Sequence, residues 1–156
     1  MTTRSTLVSR TIKAAPQQVY QAFLDAKALA MWLAPDGMRG TVERLEPYAG
    51  GTFRMSLTYL HPEEAPPGKT ADNTDTFEGQ FIRLIPFEHI VWRVAFESDQ
   101  PEFAGVMTIT WSLVEKDGAT EVSVLFEDIP TGIRLEDNEE GSRQSLAKLA
   151  AFVERT

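Results

Sequence analysis

"NEEGSRQSLAKLAAFVERT", residues 138–156, closes the chain. At about 100° per residue, Ser142, Ser145, Leu146, Leu149, Phe152 and Val153 fall on one side of a helix, with Arg143, Gln144, Lys148, Glu154 and Arg155 on the other. A stripe of this kind buries itself against another element. Here it opens with two serines, so two questions arise: what the helix lies against, and why its first turns carry hydroxyls. Asp137 with Glu140 has the form of a capping box, Asp replacing Ser or Thr, which predicts a helix start near Asp137. The acidic run Glu136, Asp137, Glu139 and Glu140 suits the positive end of the helix dipole.

Upstream of this helix the hydrophobic period is two. Phe53, Met55, Leu57 and Tyr59 share one face of "TFRMSLTYL". Ile90, Trp92, Val94 and Phe96 do so in "HIVWRVAFE", and Met107, Ile109, Trp111 and Leu113 in "GVMTITWSL". Thr120, Val122, Val124 and Phe126 do so in "TEVSVLF". Alternation of this kind predicts antiparallel strands with one buried face. Segments 41–47 and 77–85 are weaker strand candidates, and Asp117-Gly118 is a hairpin signal. Residues 61–76 are polar and proline-containing, and are expected to form an insert near the cavity mouth, acting as a lid.

Nearer the N-terminus, residues 5–13 read as a first strand. "APQQVYQAFLD" reads as a short helix, with Pro16 in its first turn and Val19, Ala22, Phe23 and Ala26 at helical spacing. "AKALAMWLA" is a second short helix, ended by the turn Pro35-Asp36-Gly37. The order is therefore strand, two short helices, about six strands and one long helix. A sheet with one apolar face needs a cover, and the terminal helix is the only element long enough. It is expected to lie across the concave face of a curved sheet, in a single domain over residues 1–156 with its core at about 5–154.

Composition narrows the function. With 156 residues, 42% hydrophobic and 24% charged, the chain suits one globular domain. A formal net charge of −8, with scattered arginines, argues against nucleic acid and anionic membranes. The absence of cysteine excludes disulfides and thiol chemistry. Apolar runs fall short of a membrane span, and Met1–Ser9 lacks the apolar core of a secretory signal, so a cytoplasmic location is expected.

"SRTIKAAPQQVYQAFLDAKALAMWLAPDG" resembles the opening of the activator of heat-shock-protein-ninety ATPase homologue family, within the SRPBCC (START-like, birch-allergen-like) superfamily. The residues that carry the likeness are Arg10, Ile12, Ala15-Pro16, Val19, Ala22, Trp32 and Pro35. Gly50-Gly51 followed by Phe53-Arg54, and Thr120 in "GATEVSV", continue it, so that it covers about 5–154. The resemblance implies the α+β helix-grip fold, in which a curved antiparallel sheet wraps a long C-terminal helix around a cavity. It implies no universal catalytic set. The chain departs from the family at Gly141-Ser142, where Gly-Trp is usual, and in the length of the 61–76 insert.

Several motifs carry less than they suggest. "PPGKTAD" lacks the first glycine of a phosphate-binding loop, since Glu63 stands there. His61 and His89 are the only histidines, and His61 with Glu63 or Glu64 would need distant ligands to hold a metal. No metal or cofactor is therefore expected. Gly50-Gly51 reads as a tight backbone entry or bulge. Glu127 and Asp128 are adjacent on a strand, so at most one faces inward.

The aromatic and methionine side chains are the informative set. Phe53, Met55, Phe81, Trp92, Phe96, Met107, Trp111 and Phe126 are expected to line a pocket with Ser142, Ser145, Leu146 and Leu149; Phe77 belongs to the same inward set. Serine at 142 removes the volume of a tryptophan, so the hydroxylated turn is read as the polar end of the pocket, and Leu146, Leu149 and Val153 as its apolar floor. The expected function is binding of a small hydrophobic or amphipathic molecule. The alternatives are a chaperone ATPase-activator-like interaction module and a cyclase- or hydrolase-type enzyme. A protein partner or homodimer stays open.

Overall fold

The computed structural model describes residues 4–61 and 74–154. Seven strands form one antiparallel sheet: β1 (Ser5–Ile12), β2 (Met38–Leu45), β3 (Thr52–Tyr59), β4 (Thr74–Ile85), β5 (His89–Phe96), β6 (Met107–Lys116) and β7 (Ala119–Glu127). Their order in space is β1-β7-β6-β5-β4-β3-β2, a meander in which the first strand returns to pair with the last. The sheet curls into a half-barrel. Its concave face takes the alternate residues read from the sequence: Phe53, Met55, Trp92, Val94, Met107, Ile109, Trp111, Val122 and Val124 are all buried, and Leu57, Phe96 and Phe126 are partly so.

Helices α1 (Pro16–Gln21) and α2 (Ala26–Trp32) follow β1. Pro16 is in the first turn of α1, and the Gln18 side chain accepts the Ala15 N–H at 3.2 Å. Asp25 caps α2 by accepting from the Lys27 amide at 2.9 Å. The indole of Trp32 donates to the Ala22 carbonyl at 2.9 Å, which locks α2 onto the end of α1. Thr120, fully buried, donates to the Ala14 carbonyl at 2.7 Å and ties β7 to the corner after β1.

Helix α3 (Leu135–Val153) packs against β1, α1 and α2. It starts two residues before the expected Asp137, and its cap is Arg134, whose side chain makes no capping bond. The capping box of Asp137 and Glu140 therefore does not form. The start is set instead by tertiary contacts, because the Arg4 guanidinium donates to the carbonyls of Ile129, Pro130 and Ile133 and fixes the loop that feeds the helix. Asp137 lies in the first turn, where its charge still suits the helix dipole. The buried stripe is Ser142, Ser145, Leu146, Leu149, Ala150 and Val153, whereas Phe152 is only partly buried.

Two strands are longer or shifted relative to the reading from sequence. The edge strand β2 runs 38–45 rather than 41–47, with a bulge between Val42 and Arg44. β4 begins at Thr74, so residues 74–76 are strand and not part of the polar insert. Residues 62–73 lie outside the described residues, as do the expected lid, Glu63, Glu64 and "PPGKTAD". At the β6–β7 hairpin, Asp117 (φ 52°) and Gly118 (φ 85°) are both left-handed, as a type I′ turn requires. Among the described residues no helix is long and apolar enough to cross a membrane. A curved antiparallel sheet with two short helices after its first strand and a long C-terminal helix on its concave side is the helix-grip arrangement.

Candidate functional site

Between the first half of α3 and the concave sheet lies a cavity of about 650 Å³, partly open to solvent. Its apolar wall comes from the middle of the sheet: Trp92, Val94 and Phe96 on β5, Met107, Ile109 and Trp111 on β6, and Phe126 on β7. Leu57 and Tyr59 of β3 and Asp75 and Phe77 of β4 continue it to one side. The rim is irregular backbone, made by Leu33, Pro35 and Asp36 after α2 and by Gly132, Ile133 and Arg134 before α3.

Helix α3 holds the first part of this rim by hydrogen bonds. Ser145 donates to the Leu33 carbonyl at 2.6 Å, Lys148 donates to the Ala34 carbonyl at 2.7 Å, and the Asp36 amide donates to the Gln144 side chain at 2.9 Å. Ser142 donates to the Asn138 carbonyl one turn back, at 2.8 Å. Both serines border the cavity and both are buried. Their hydroxyl protons are committed to backbone carbonyls, so they can only accept from a guest. The hydroxylated turn thus has a positional role: Ser145 anchors a neighbouring loop, and Ser142 is small enough to leave the space open.

Of the residues expected at the pocket, Trp92, Phe96, Met107, Trp111, Phe126, Ser142 and Ser145 border it. Phe53, Met55, Phe81, Leu146 and Leu149 lie outside its lining. All five are fully buried in the core behind the wall. The Phe53 ring packs between those of Trp92 (4.9 Å between centroids) and Phe81 (5.4 Å), which places it one layer back. Leu146, Leu149 and Val153 are not the floor of the cavity. All three are buried against the core on the same stripe of α3. Glu127 and Asp128 border no part of the cavity, nor do His61, His89 or Gly50-Gly51. Gly50 is left-handed (φ 88°) and donates to the Phe81 carbonyl at 2.7 Å, so this glycine pair serves the backbone.

Polar groups in the wall were less visible from sequence. Asp75 is 2% exposed and sits on the inward face of β4. Counting back in twos from Phe81, Gly79 and Phe77 reaches it, but the polar stretch around it masked the period. Burial pushes the Tyr59 phenol above its ordinary value of 10, and the charges of Asp75 and Asp137 push it the same way. Deeper in, the indole nitrogens of Trp92 and Trp111 are buried, and no protein group among the described residues accepts from either. By contrast, the third indole, that of Trp32, has the Ala22 carbonyl. No three His, Asp or Glu side chains converge on a metal position among the described residues.

The model of the family described as activator of Hsp90 ATPase homolog 1-like protein matches residues 13–154. A crystal structure of a protein from Chromobacterium violaceum is 31% identical, with 96% of each chain covered and a TM-score of 0.84. A solution structure of a protein from Arthrobacter aurescens is 16% identical, covering 100% of this chain and 92% of its own, with a TM-score of 0.80. A third, from Aeromonas hydrophila and named for the same family, is 18% identical over 96% and 93% of the two chains, with a TM-score of 0.70. The last two speak to the fold alone. No curated protein matches.

Proposed function

We propose that this chain, which belongs to the activator of Hsp90 ATPase homolog 1-like family, binds one small amphipathic molecule in the cavity between α3 and the sheet. The observation that carries this reading is the cavity itself, about 650 Å³ and walled by Trp92, Phe96, Met107, Trp111 and Phe126 beneath the first half of α3. Both tryptophans border it, and among the described residues neither indole N–H has a protein acceptor. The volume of about 650 Å³ is within the range of small-molecule sites, which combine apolar walls with a few placed polar groups.

The test is titration with Nile red, an uncharged apolar dye, of the wild type and of Ser142→Trp. The indole at 142 would project into the cavity from the first half of α3. The wild type is expected to bind the dye with a rise in emission, and the variant to bind at least about tenfold more weakly. Equal affinity in two folded proteins would remove the cavity from the binding reaction. Failure of the wild type to bind at all would favour the protein-interaction alternative.

A further inference from the structure

One hydroxyl in the cavity wall is left unused by the protein, and its place indicates which guest atom it receives, an inference that rests on the ligand-binding reading above. Among the described residues three hydroxyl side chains border the cavity: Tyr59, Ser142 and Ser145. The two serine protons go to the carbonyls of Asn138 and Leu33. The Tyr59 hydroxyl makes no hydrogen bond among the described residues. Tyr59 follows Phe53, Met55 and Leu57 in the alternation of β3, so its ring projects from the end of that strand to the concave side. Two charges on opposite walls act on its oxygen: Asp75 on β4 of the sheet and Asp137 in the first turn of α3. Both residues border the cavity. Helix α3 packs on β1, α1 and α2 and stands off from β3 and β4, and the gap it leaves there is part of the cavity. A phenol within electrostatic reach of both walls lies in that gap.

Burial pushes this phenol above its ordinary value of 10, so at pH 7 it is neutral and holds its proton. A neutral phenol offers one proton to an acceptor. While the cavity is open, water takes that proton. A guest lying against Tyr59 displaces the water, and a guest without an acceptor would leave the donor unsatisfied. A carboxylate guest would accept the proton but add a third negative charge to the two that already act on Tyr59. An uncharged oxygen accepts without that repulsion. The lining beside Tyr59 is apolar at Leu57 on β3 and Phe77 on β4, and it stays apolar through Phe96 and Trp92 on β5 to Trp111 on β6. The wall therefore suits an apolar body that carries its oxygen at the Tyr59 end.

We infer that Tyr59 is the polar anchor of the site, donating to an uncharged ketone, ester or ether oxygen on a ligand whose apolar body lies along Phe77, Phe96, Trp92 and Trp111. Two probes of nearly equal outline test this: 2-acetylnaphthalene, which has an acceptor oxygen, and 2-ethylnaphthalene, which has none. Each is titrated by displacement of Nile red from the wild type and from Tyr59→Phe, with the dye's own affinity measured for both proteins and circular dichroism to confirm folding. The carbonyl stretch of bound 2-acetylnaphthalene is read by infrared difference spectroscopy. The ketone-to-hydrocarbon affinity ratio is expected to fall about fivefold or more in Tyr59→Phe, the effect of one neutral hydrogen bond. The hydrocarbon should bind both proteins within about twofold. The carbonyl stretch should lie lower in the wild type than in the variant, because accepting a hydrogen bond weakens the C=O bond. Phenylalanine keeps the ring, so a packing role alone would leave the ratio and the stretch unchanged. That result would overturn the anchor and leave the ligand-binding reading standing. An equal loss of affinity for both compounds would overturn it too, assigning Tyr59 to the shape of the wall. Should Tyr59→Phe not fold, the wild-type band carries the test, and a stretch at its frequency in hexane would overturn the proposal. Failure of Nile red and of both naphthalenes to bind the wild type would sink both readings.

Discussion

Gly79→Ala is the sharpest test of the wall and what lies behind it. Gly79 pairs with Phe53 across β3 and β4, and the Phe53 ring lies over it. A methyl group at 79 would overlap Phe53 Cζ most closely and would sit 2.5 Å from Cε1 and 2.8 Å from Cε2. Ordinary carbon contact is about 3.5–4.0 Å, so the ring must retreat by about 1.5 Å. Phe53 is fully buried, with Trp92 and Phe81 against it, and Trp92 in turn borders the cavity. Trp92 is one of the rings packed against Phe53, so a shift passed on to it would change the cavity wall. Overpacking of this kind costs roughly 1–3 kcal/mol, which for a chain of this size lowers the Tm by about 2–4 °C per kcal/mol. Urea denaturation should show that loss, and Nile red affinity should fall as the cavity narrows. Phe53→Leu in the same chain should relieve the clash, making the double variant more stable than the sum of the single changes by at least about 1 kcal/mol. A Gly79→Ala protein within about 0.5 kcal/mol of the wild type, with unaltered dye binding, would refute the layered packing described here.

Other substitutions separate the three indoles and two polar ties. Trp32→Phe strands the Ala22 carbonyl, whereas Trp111→Phe strands nothing, so the first should be less stable by about 1 kcal/mol or more in urea. The opposite order would contradict the hydrogen-bond assignment. Thr120→Val keeps the shape of the side chain but removes the bond to the Ala14 carbonyl. It should cost about 1–2 kcal/mol while Thr120→Ser costs less, and equal losses would deny the hydroxyl its role. The hydrogen bonds from Arg54 hold the Glu97 carboxyl below its ordinary value of 4.5. Its stabilisation is therefore complete above the unfolded value and is lost as pH falls through the lower folded one. The pair is part-exposed, so the effect is small. Glu97→Gln should flatten the dependence of the urea midpoint on pH below about 4.5, and an unchanged slope would show that the pair contributes nothing.

The strands of the middle of the sheet were legible because one face is buried, so that Trp92, Val94, Met107, Ile109 and Trp111 alternate with exposed or partly exposed neighbours. β2 was blurred because an edge strand with a bulge carries Arg39, Glu43 and Arg44 among its few apolar residues. Alternation reports which face a side chain occupies but not its depth along the strand. That is why Phe53 and Phe81 were grouped with Trp92, although they lie behind it. Depth is set by sheet curvature and by where α3 touches down, and neither has a local signature. The rim at Leu33–Asp36 and Gly132–Arg134 is irregular backbone, which has no period to read. The start of α3 was misplaced for a related reason: Arg4, over a hundred residues away, holds the carbonyls of the loop that feeds the helix.

The pairing of β1 with β7 has a consequence for how the chain is made. Ser5 finds Glu127, and Ile12 finds Thr120, so partners in this ladder lie more than a hundred positions apart. On a ribosome adding about 5–20 residues per second, the first strand emerges and then waits roughly 5–25 seconds for the only strand it pairs with. Until then its backbone donors and acceptors are open to water and to any other nascent chain nearby. A ladder of such long sequence separation also makes closure of this sheet edge slow. Strand β1 is made long before the strand that satisfies it, and translation speed through residues 13–127 sets how long it stays that way.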